Sequence, residues 1–563
     1  MRISSIIVSV SVLAAVVILS ESCHHSPPSS DVAATVEDLN TRVVADLNTF
    51  VHYLGTRGRV GIPEGDSVTL WKPGALAMFY RERGFRPAWS DTGRLLPQGD
   101  SLMGEIARSA DDGLSPAWYH SGALSSLLKQ IRHDSTARKD AVKWSVTDLL
   151  LTDAFMHLAS GLRFGVLPPD SVSLKKDSAF TDSTLVAMLS GAVAGKTISA
   201  TIDSLRPAFP AYIDLSRALH RYRARMAGRD WDTLPAPGAD SAAFRRALAL
   251  RLVEAGMLDS ADAGDPRRVE AAVKAFQREH NLYPDGVAGG RTIRALDRSP
   301  AYRMDQIAVN LERWRHRSDS MPEKYVWVNI PAYSLQVHDS DSVVLHSRVI
   351  VGKPGHQTPL LNSRLVNFQL YPYWRVPFSI ITHEMLPRIR KDTGYLTRNN
   401  LEVVDRHNNV VDPRKLNWKK YNEHYFPYLI RQMTGLDNSL GIIKFNFLNK
   451  YSVYLHDTNL RNLFGLTQRD LSHGCVRVQQ WQPLAMYLIR DDTLRHMPDS
   501  VAVWMMQQKQ KLVVLRTRVP LYIRYFTCSA DAKGNLTFYQ DIYGYDTLEM
   551  KRIFGSLPQT TKL

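Results

Sequence analysis

The spacing of hydrophobic positions changes twice along the chain. From about 41 to 235 apolar residues recur mostly at helical intervals, and the run 141–159 keeps that spacing over a length beyond an ordinary strand. A helix is predicted there, with His157 a packed or surface helix residue rather than a ligand. From about 240 to 300 the period stays helical but the elements shorten: 244–258, 266–280 and a third beginning at Gly290, with a turn over 281–286. After a linking helix through 310–315 the pattern alternates in twos or runs apolar. The segments 325–331, 334–338 and 343–351 read as strands separated by turn residues. A polar and aromatic insertion from Ser379 to about 436 interrupts this region before 442–447 resumes the sheet, and insertions of that size in such a domain are often lids. The fold class is multidomain α+β.

Length agrees with several cores. The chain has 563 residues with 44% hydrophobic and 22% charged content, which predicts three or four domains. The division read here is a signal at 1–23, a Ser-, Pro-, Asp- and Ala-rich flexible tether at 24–40 and a helical domain at 41–235. A small helical module follows at 240–300, then a linking helix at 301–320, a mostly β domain at 321–510 with its insertion at about 380–436, and a C-terminal β extension at 511–563.

The N-terminus bears on the compartment. Met1-Arg2 precedes an apolar stretch over 6–19 and then Ser20-Glu21-Ser22-Cys23, the layout of a secretory signal and too short for a transmembrane helix. The formal charge of +15 suits an anionic partner. Export and the lack of any zinc-finger, RNA-recognition or basic helical motif exclude nucleic acid, leaving attraction to the cell envelope or a merely solvated basic surface.

Candidate chemistry concentrates in Leu471-Ser472-His473-Gly474-Cys475-Val476-Arg477-Val478, a cysteine in a tight turn between apolar segments. A thiol is a good nucleophile at neutral pH only when a base or a positive environment favours the thiolate. Nineteen positions upstream, the alternating segment 451–456 delivers His456 at its end as a candidate base. Gly474 lets backbone approach a substrate, so the amides around Gly474 and Cys475 are candidate donors to an oxyanion. Together these parts describe acyl transfer through a thioester. A metal site of His456, His473 and Cys475 lacks a fourth ligand, and no cofactor is called for. Cys528 has no histidine motif nearby and reads as structural, and a disulfide would consume the candidate nucleophile. The stretch Gly191 to Thr197 has three residues between its glycines where a phosphate loop needs four.

His456, fifteen intervening residues and Ser472-His473-Gly474-Cys475-Val476-Arg477 resemble the active-site motif of the L,D-transpeptidases, the YkuD-type catalytic domain. The resemblance implies that Cys475 attacks the bond after the third residue of a peptidoglycan stem, with His456 as general base. An amine of a neighbouring stem then resolves the thioester into a 3→3 cross-link. It further implies catalytic support from Gly474 and substrate contacts at Ser472, His473, Arg477 and Trp374. Gly352-Lys353-Pro354, Thr358-Pro359 and Tyr371-Pro372-Tyr373-Trp374 match the same family, and the insertion reads as a cap over the active site that helps to exclude water. The stretch 273–296 is similar to the three-helix peptidoglycan-binding module. Phe79 to Trp89 and Asp112 to His120 look like the scaffold region of the large multi-domain members, their aromatics read as core packing before wall contact. The N-terminus resembles a bacterial lipoprotein signal, which implies a lipid anchor on Cys23, with unlipidated cleavage as the alternative. The partners implied are peptidoglycan stem peptides and glycan, and a membrane through the anchor, in the periplasm. Hydrolysis in place of transfer, another wall cysteine peptidase and a non-catalytic wall-binding scaffold stay open.

Overall fold

The computed structural model describes residues 32–555, apart from 64, 171, 176–179, 229–230, 236–240, 319 and 493–498 and the side chains of 54–57. The predicted signal and Cys23 lie outside the described residues. No described helix is long and apolar enough to cross a membrane. The chain divides into two compact units, one of 1–100 with 120–154 and the other of 101–119 with 155–563.

The first unit is mostly helical, with two short hairpins at Arg59–Gly61/Ser67–Thr69 and Ser90–Asp91/Arg94–Leu95. The predicted helix is present as Ala141–Phe164, and its buried Asp148 accepts hydrogen bonds from the amides of Ala88 (2.8 Å) and Trp89 (3.0 Å) and from the Tyr80 hydroxyl (2.7 Å). The Trp89 indole donates to Thr152 at 2.9 Å. Phe79, Tyr80 and Trp89 are fully buried, so these aromatics serve the core. A buried carboxylate with three donors is satisfied, and it fixes the loop that carries Trp89.

In the second unit the linking helix Pro300–Arg315 packs with Pro210–Met226 and the hairpin of Cys528–Ala530 and Leu536–Phe538, where Cys528 is buried among Tyr212, Leu219, Ile307 and Phe538. The small module contains Ser241–Glu254, Pro266–Glu279 and Gly290–Leu296 around Leu252, Val273, Phe276 and Leu296. Its turn is held by the buried Gln277 amide, which donates to Asp285 Oδ1 (2.8 Å), the Val287 carbonyl (3.0 Å) and Thr292 Oγ1 (3.2 Å) and accepts from the Gly286 amide (2.9 Å). Gly286 has φ +83°, and a Cβ there would lie 2.6 Å from Glu270 Cγ. Gln277→Leu strands these groups and is expected to lower the opening free energy of the turn by about 1–3 kcal/mol, read as lost amide-exchange protection at Gly286 and Val287.

The alternating region forms a closed barrel. Its strands are β1 (Lys324–Asn329), β2 (Ser334–Asp339), β3 (Ser342–Gly352), β4 (Leu361–Leu370), β5 (Ile443–Phe447), β6 (Leu455–His456), β7 (Asp470–Ser472), β8 (Val476–Val478) and β9 (Lys511–Arg524). The order is β3-β8-β6-β5-β4-β9-β1-β2, with β2 pairing back to β3 and β7 added beside β3. Closure leaves no free edge among the eight ring strands. Val326, Val328, Leu335, Val337, Val349, Val351, Phe368, Phe445 and Val476 fill the core, as the period-two pattern requires. Lys511–Arg524, within the stretch read from sequence as a C-terminal extension, is a ring strand between β4 and β1 because Val513, Leu515, Val519, Leu521 and Ile523 supply buried positions.

The insertion has its own core of Ile381, Leu386, Ile389, Leu396, Val403, Trp418, Phe426 and Ile430. A four-stranded antiparallel sheet accompanies it, in the order Val410–Val411, Leu401–Val404, Leu429–Gln432 and Trp374–Arg375. The last of these strands lies just after β4, so the insertion is rooted next to the barrel wall that carries β5 and β6.

Candidate active site

Three neighbouring ring strands align the chemistry. Lys444 of β5 pairs with His456 of β6, and His456 pairs with Arg477 of the parallel strand β8, so the three side chains form a row across the wall. Cys475 immediately precedes β8 and is half-buried.

The turn before Cys475 is braced from both sides. Ser472 is buried; its hydroxyl donates to the Cys475 carbonyl (2.6 Å) and accepts from the Gly474 amide (3.1 Å). Gly474 has φ +114°, which a side chain opposes. Its carbonyl accepts from Thr358 Oγ1 at 2.8 Å, and Thr358 Oγ1 in turn accepts from the Gly352 amide at 2.9 Å. The Tyr543 hydroxyl donates to the Gly352 carbonyl (2.6 Å) and accepts from the Thr358 amide (3.1 Å). A Cβ on Gly352 would lie 2.1 Å from the His356 carbonyl oxygen, so the loop leaves no room for a side chain. Gly352 and Thr358, singled out in the sequence as motif positions, are therefore the clamp on the turn.

Electrostatics around the thiol oppose one another. Burial pushes the Cys475 thiol up, while the amide and the hydroxyl of Tyr454, then the charges of Lys444 and Arg477, pull it down. The Tyr454 hydroxyl donates toward Cys475 and accepts from the Trp374 indole, so Trp374 reaches the thiol through Tyr454. Lys444 sits over the Tyr454 ring at 4.1 Å. His456 is buried, and burial, helped by Arg477 and Lys444, holds it down to about 3. Its Nδ1 donates to the Asp457 carbonyl. The Leu440 carbonyl is a second acceptor for a ring N–H, so backbone carbonyls orient the imidazole. Asp457 is itself anchored, its carboxylate accepting from the Ile442 amide (2.9 Å) and from Arg461 (2.5 and 3.1 Å).

The remaining candidates divide by exposure. His473 is exposed, with Nε2 2.6 Å from Glu384 Oε1 of the insertion and its ring 5.1 Å from that of His356. Arg477 reaches Thr458 Oγ1 at 3.4 Å, and its buried Nε has no partner among the described residues. Ser472 is committed to the turn, whereas Trp374, His473 and Arg477 border the thiol or its approaches. Lys444, Tyr454 and Glu384 were not found from the sequence. Tyr454 and His456 are two apart in an alternating segment, and Lys444 is the charged residue of the alternating strand Ile443–Phe447, so a signal for both was present.

The histidine gives a pH signature. Its folded-state pKa lies below the unfolded value of about 6.5, so its contribution is full above that value and is lost as pH falls toward 3. Asp305 and Asp546, raised to about 6, act in the opposite direction, so the readable quantity is a difference between variants. Lowering the pH from 7 to 5 is expected to cost wild type about 2 kcal/mol more than His456→Gln in denaturant unfolding of the catalytic domain. An unchanged difference would contradict the buried neutral histidine.

Comparison with known proteins matches three stretches of the chain to family models. Residues 323–492 match the family model described as "L,D-transpeptidase catalytic domain", 241–296 that described as "Putative peptidoglycan binding domain" and 74–219 that described as "Scaffold domain". The chain is a multi-domain α+β protein with scaffold, peptidoglycan-binding and L,D-transpeptidase catalytic domains. A Haemophilus influenzae protein named "Putative L,D-transpeptidase" is 35% identical over 241 residues, an alignment that covers 43% of this chain and 48% of that protein. The chain thus spans about half the length of that relative.

Proposed function

We propose that this protein is a peptidoglycan L,D-transpeptidase that forms 3→3 cross-links through a thioester on Cys475, in cell-wall biogenesis. The observation that carries the proposal is the half-buried Cys475, held by a clamped turn beside the aligned Lys444, His456 and Arg477 and facing the Tyr454 hydroxyl. His456 removes the thiol proton as the sulfur attacks the carbonyl carbon after the third stem residue. The tetrahedral oxyanion takes hydrogen bonds at the turn. The Gly474 amide is already given to Ser472, so the Cys475 amide and the Arg477 guanidinium are the donors assigned here. The departing amine of the fourth residue receives the proton, and the amine of a second stem attacks the thioester and regenerates the thiol.

In this reading the insertion at about 380–436 is the cap, latched by Glu384 to His473 and excluding water while the acceptor enters. The division of the chain given above, with its peptidoglycan-binding and scaffold parts presenting stem and glycan, belongs to the same proposal. So does a periplasmic, Cys23-anchored location. The test is incubation of the full chain with tetrapeptide muropeptides and mass analysis of the products. A 3→3 dimer is the expected product; tripeptide with free fourth residue and no dimer would replace transfer by hydrolysis.

A further inference from the structure

Outside the active site, a cavity of about 220 Å³ opens between the small helical module, the linking helix and the segment following Leu536–Phe538. Four arginines line it. Arg291 and Arg294 are exposed at its rim, Arg298 is half-buried, and Arg303 is 7% exposed at its base. Among the described residues none of the four has a carboxylate within ion-pair distance. Arg303 gives its Nη1 to Gln306 Oε1 (2.8 Å) and its Nη2 to the Ala295 carbonyl (3.0 Å), with its guanidinium 4.7 Å from the Phe538 ring centroid. Arg298 stacks on Tyr302 at 4.4 Å. The lining carboxylate, Asp541, is occupied by the Tyr525 hydroxyl (2.6 Å) and the Asp546 amide (3.1 Å). Glu279 feels the charge of Arg303 from beyond pairing distance.

A buried guanidinium without a counter-ion is costly, and three more beside it add repulsion. Some arginines elsewhere in this unit are paired with carboxylates, Arg206 with Asp112 at 2.9 Å, Arg313 with Asp546 at 2.8 Å and Arg315 with Glu312 at 3.0 Å, while the buried Arg469 and Arg524 sit singly and donate to backbone carbonyls. What sets the cavity apart is four guanidiniums without a carboxylate partner around one space, and its chemistry is that of a receptor for an oxyanion, which guanidinium forks take in bidentate fashion.

We propose that this cavity binds the free carboxylates of a peptidoglycan stem peptide, holding a strand at the module while Cys475 works on a stem. The assignment of the stem rests on the proposed function; the oxyanion chemistry does not. Phosphate is the other source of the same chemistry.

Arginine modification by phenylglyoxal, mapped by peptide mass on the full chain, reads the site directly. A synthetic tetrapeptide stem with free carboxylates, at several times its dissociation constant, is expected to slow modification of Arg294 and Arg298 by about fivefold or more. The same peptide with every carboxylate amidated is expected to give no protection. In Arg303→Gln, checked for native melting, protection of Arg294 and Arg298 is lost. The double variant Arg294→Gln/Arg298→Gln, altered near the cavity mouth, loses protection of Arg291. Equal protection by the amidated peptide, or none by the free one, overturns the proposal, as does protection by inorganic phosphate that the stem does not reproduce. Thioester formation on Cys475 in the same samples is scored separately by intact mass. A modified cysteine with unprotected arginines sinks the cavity alone, while protected arginines with an unmodified cysteine sink the reaction alone.

Discussion

Cys475→Ala is expected to abolish both thioester and cross-linked product, a loss on the order of 10⁴-fold or more, because no other group near the turn can form the covalent intermediate. Cys528 cannot substitute: it is buried in the core beside the linking helix, and burial pushes its thiol far above the ordinary range. The fold should survive, since alanine keeps the backbone of a turn that Ser472, Thr358 and Tyr543 hold without the sulfur. Loss of product with unchanged melting and unchanged binding of muropeptide is the expected pattern. Persistence of even a tenth of the product would remove Cys475 from the mechanism.

His456→Gln is expected to slow acylation by about 10²–10⁴-fold, the range for losing a positioned general base. Burial keeps His456 neutral in the resting protein, because it depresses the imidazole to about 3, and it raises the thiol of Cys475. Resting thiol and imidazole are therefore both uncharged, and on the proposed mechanism proton transfer accompanies attack rather than preceding it. Alkylation of Cys475 by iodoacetamide, followed by peptide mass mapping, should be slow at pH 7 and rise through the alkaline range in wild type. A fast plateau between pH 5 and 7 would reveal a preformed thiolate–imidazolium pair and contradict this account. The Tyr454 hydroxyl holds the thiol from moving higher still, so Tyr454→Phe is expected to shift the alkaline rise to higher pH.

Much of this was legible in the sequence, for identifiable reasons. Alternation at 325–331 and 334–338 exposed the barrel strands because one face must meet the core represented by Val326 and Leu335. The short helices of the module were legible because Phe276 and Val273 repeat at helical spacing and Gly286 marks the turn. The candidate nucleophile and base stood out because their flanks are unusual, and Gly474 because a residue without a side chain lets backbone approach a substrate; its positive φ came only with the structure. What was hidden depends on contacts between distant segments. Tyr454, Lys444 and Trp374 meet around the thiol only once β5, β6 and the root of the insertion are neighbours. Ser472 looked like a substrate contact in the linear motif, yet its hydroxyl spans the turn and is spent on Gly474 and Cys475. Glu384 lies 89 positions from His473, a pairing that no local pattern announces. The strand at Lys511–Arg524 was read as an appendage because nothing local tells a ring strand from an added one; only its partners do.

The claim on which the account rests is a covalent bond between Cys475 and a stem peptide. Intact-mass analysis of the full chain, quenched in acid after brief exposure to a tetrapeptide muropeptide without acceptor, measures it directly. The account predicts an added mass equal to the muropeptide less its fourth residue released as the free amino acid, mapped to the peptide containing Cys475 and absent in Cys475→Ala. An unmodified chain alongside turnover, or the added mass on any other residue, would contradict it.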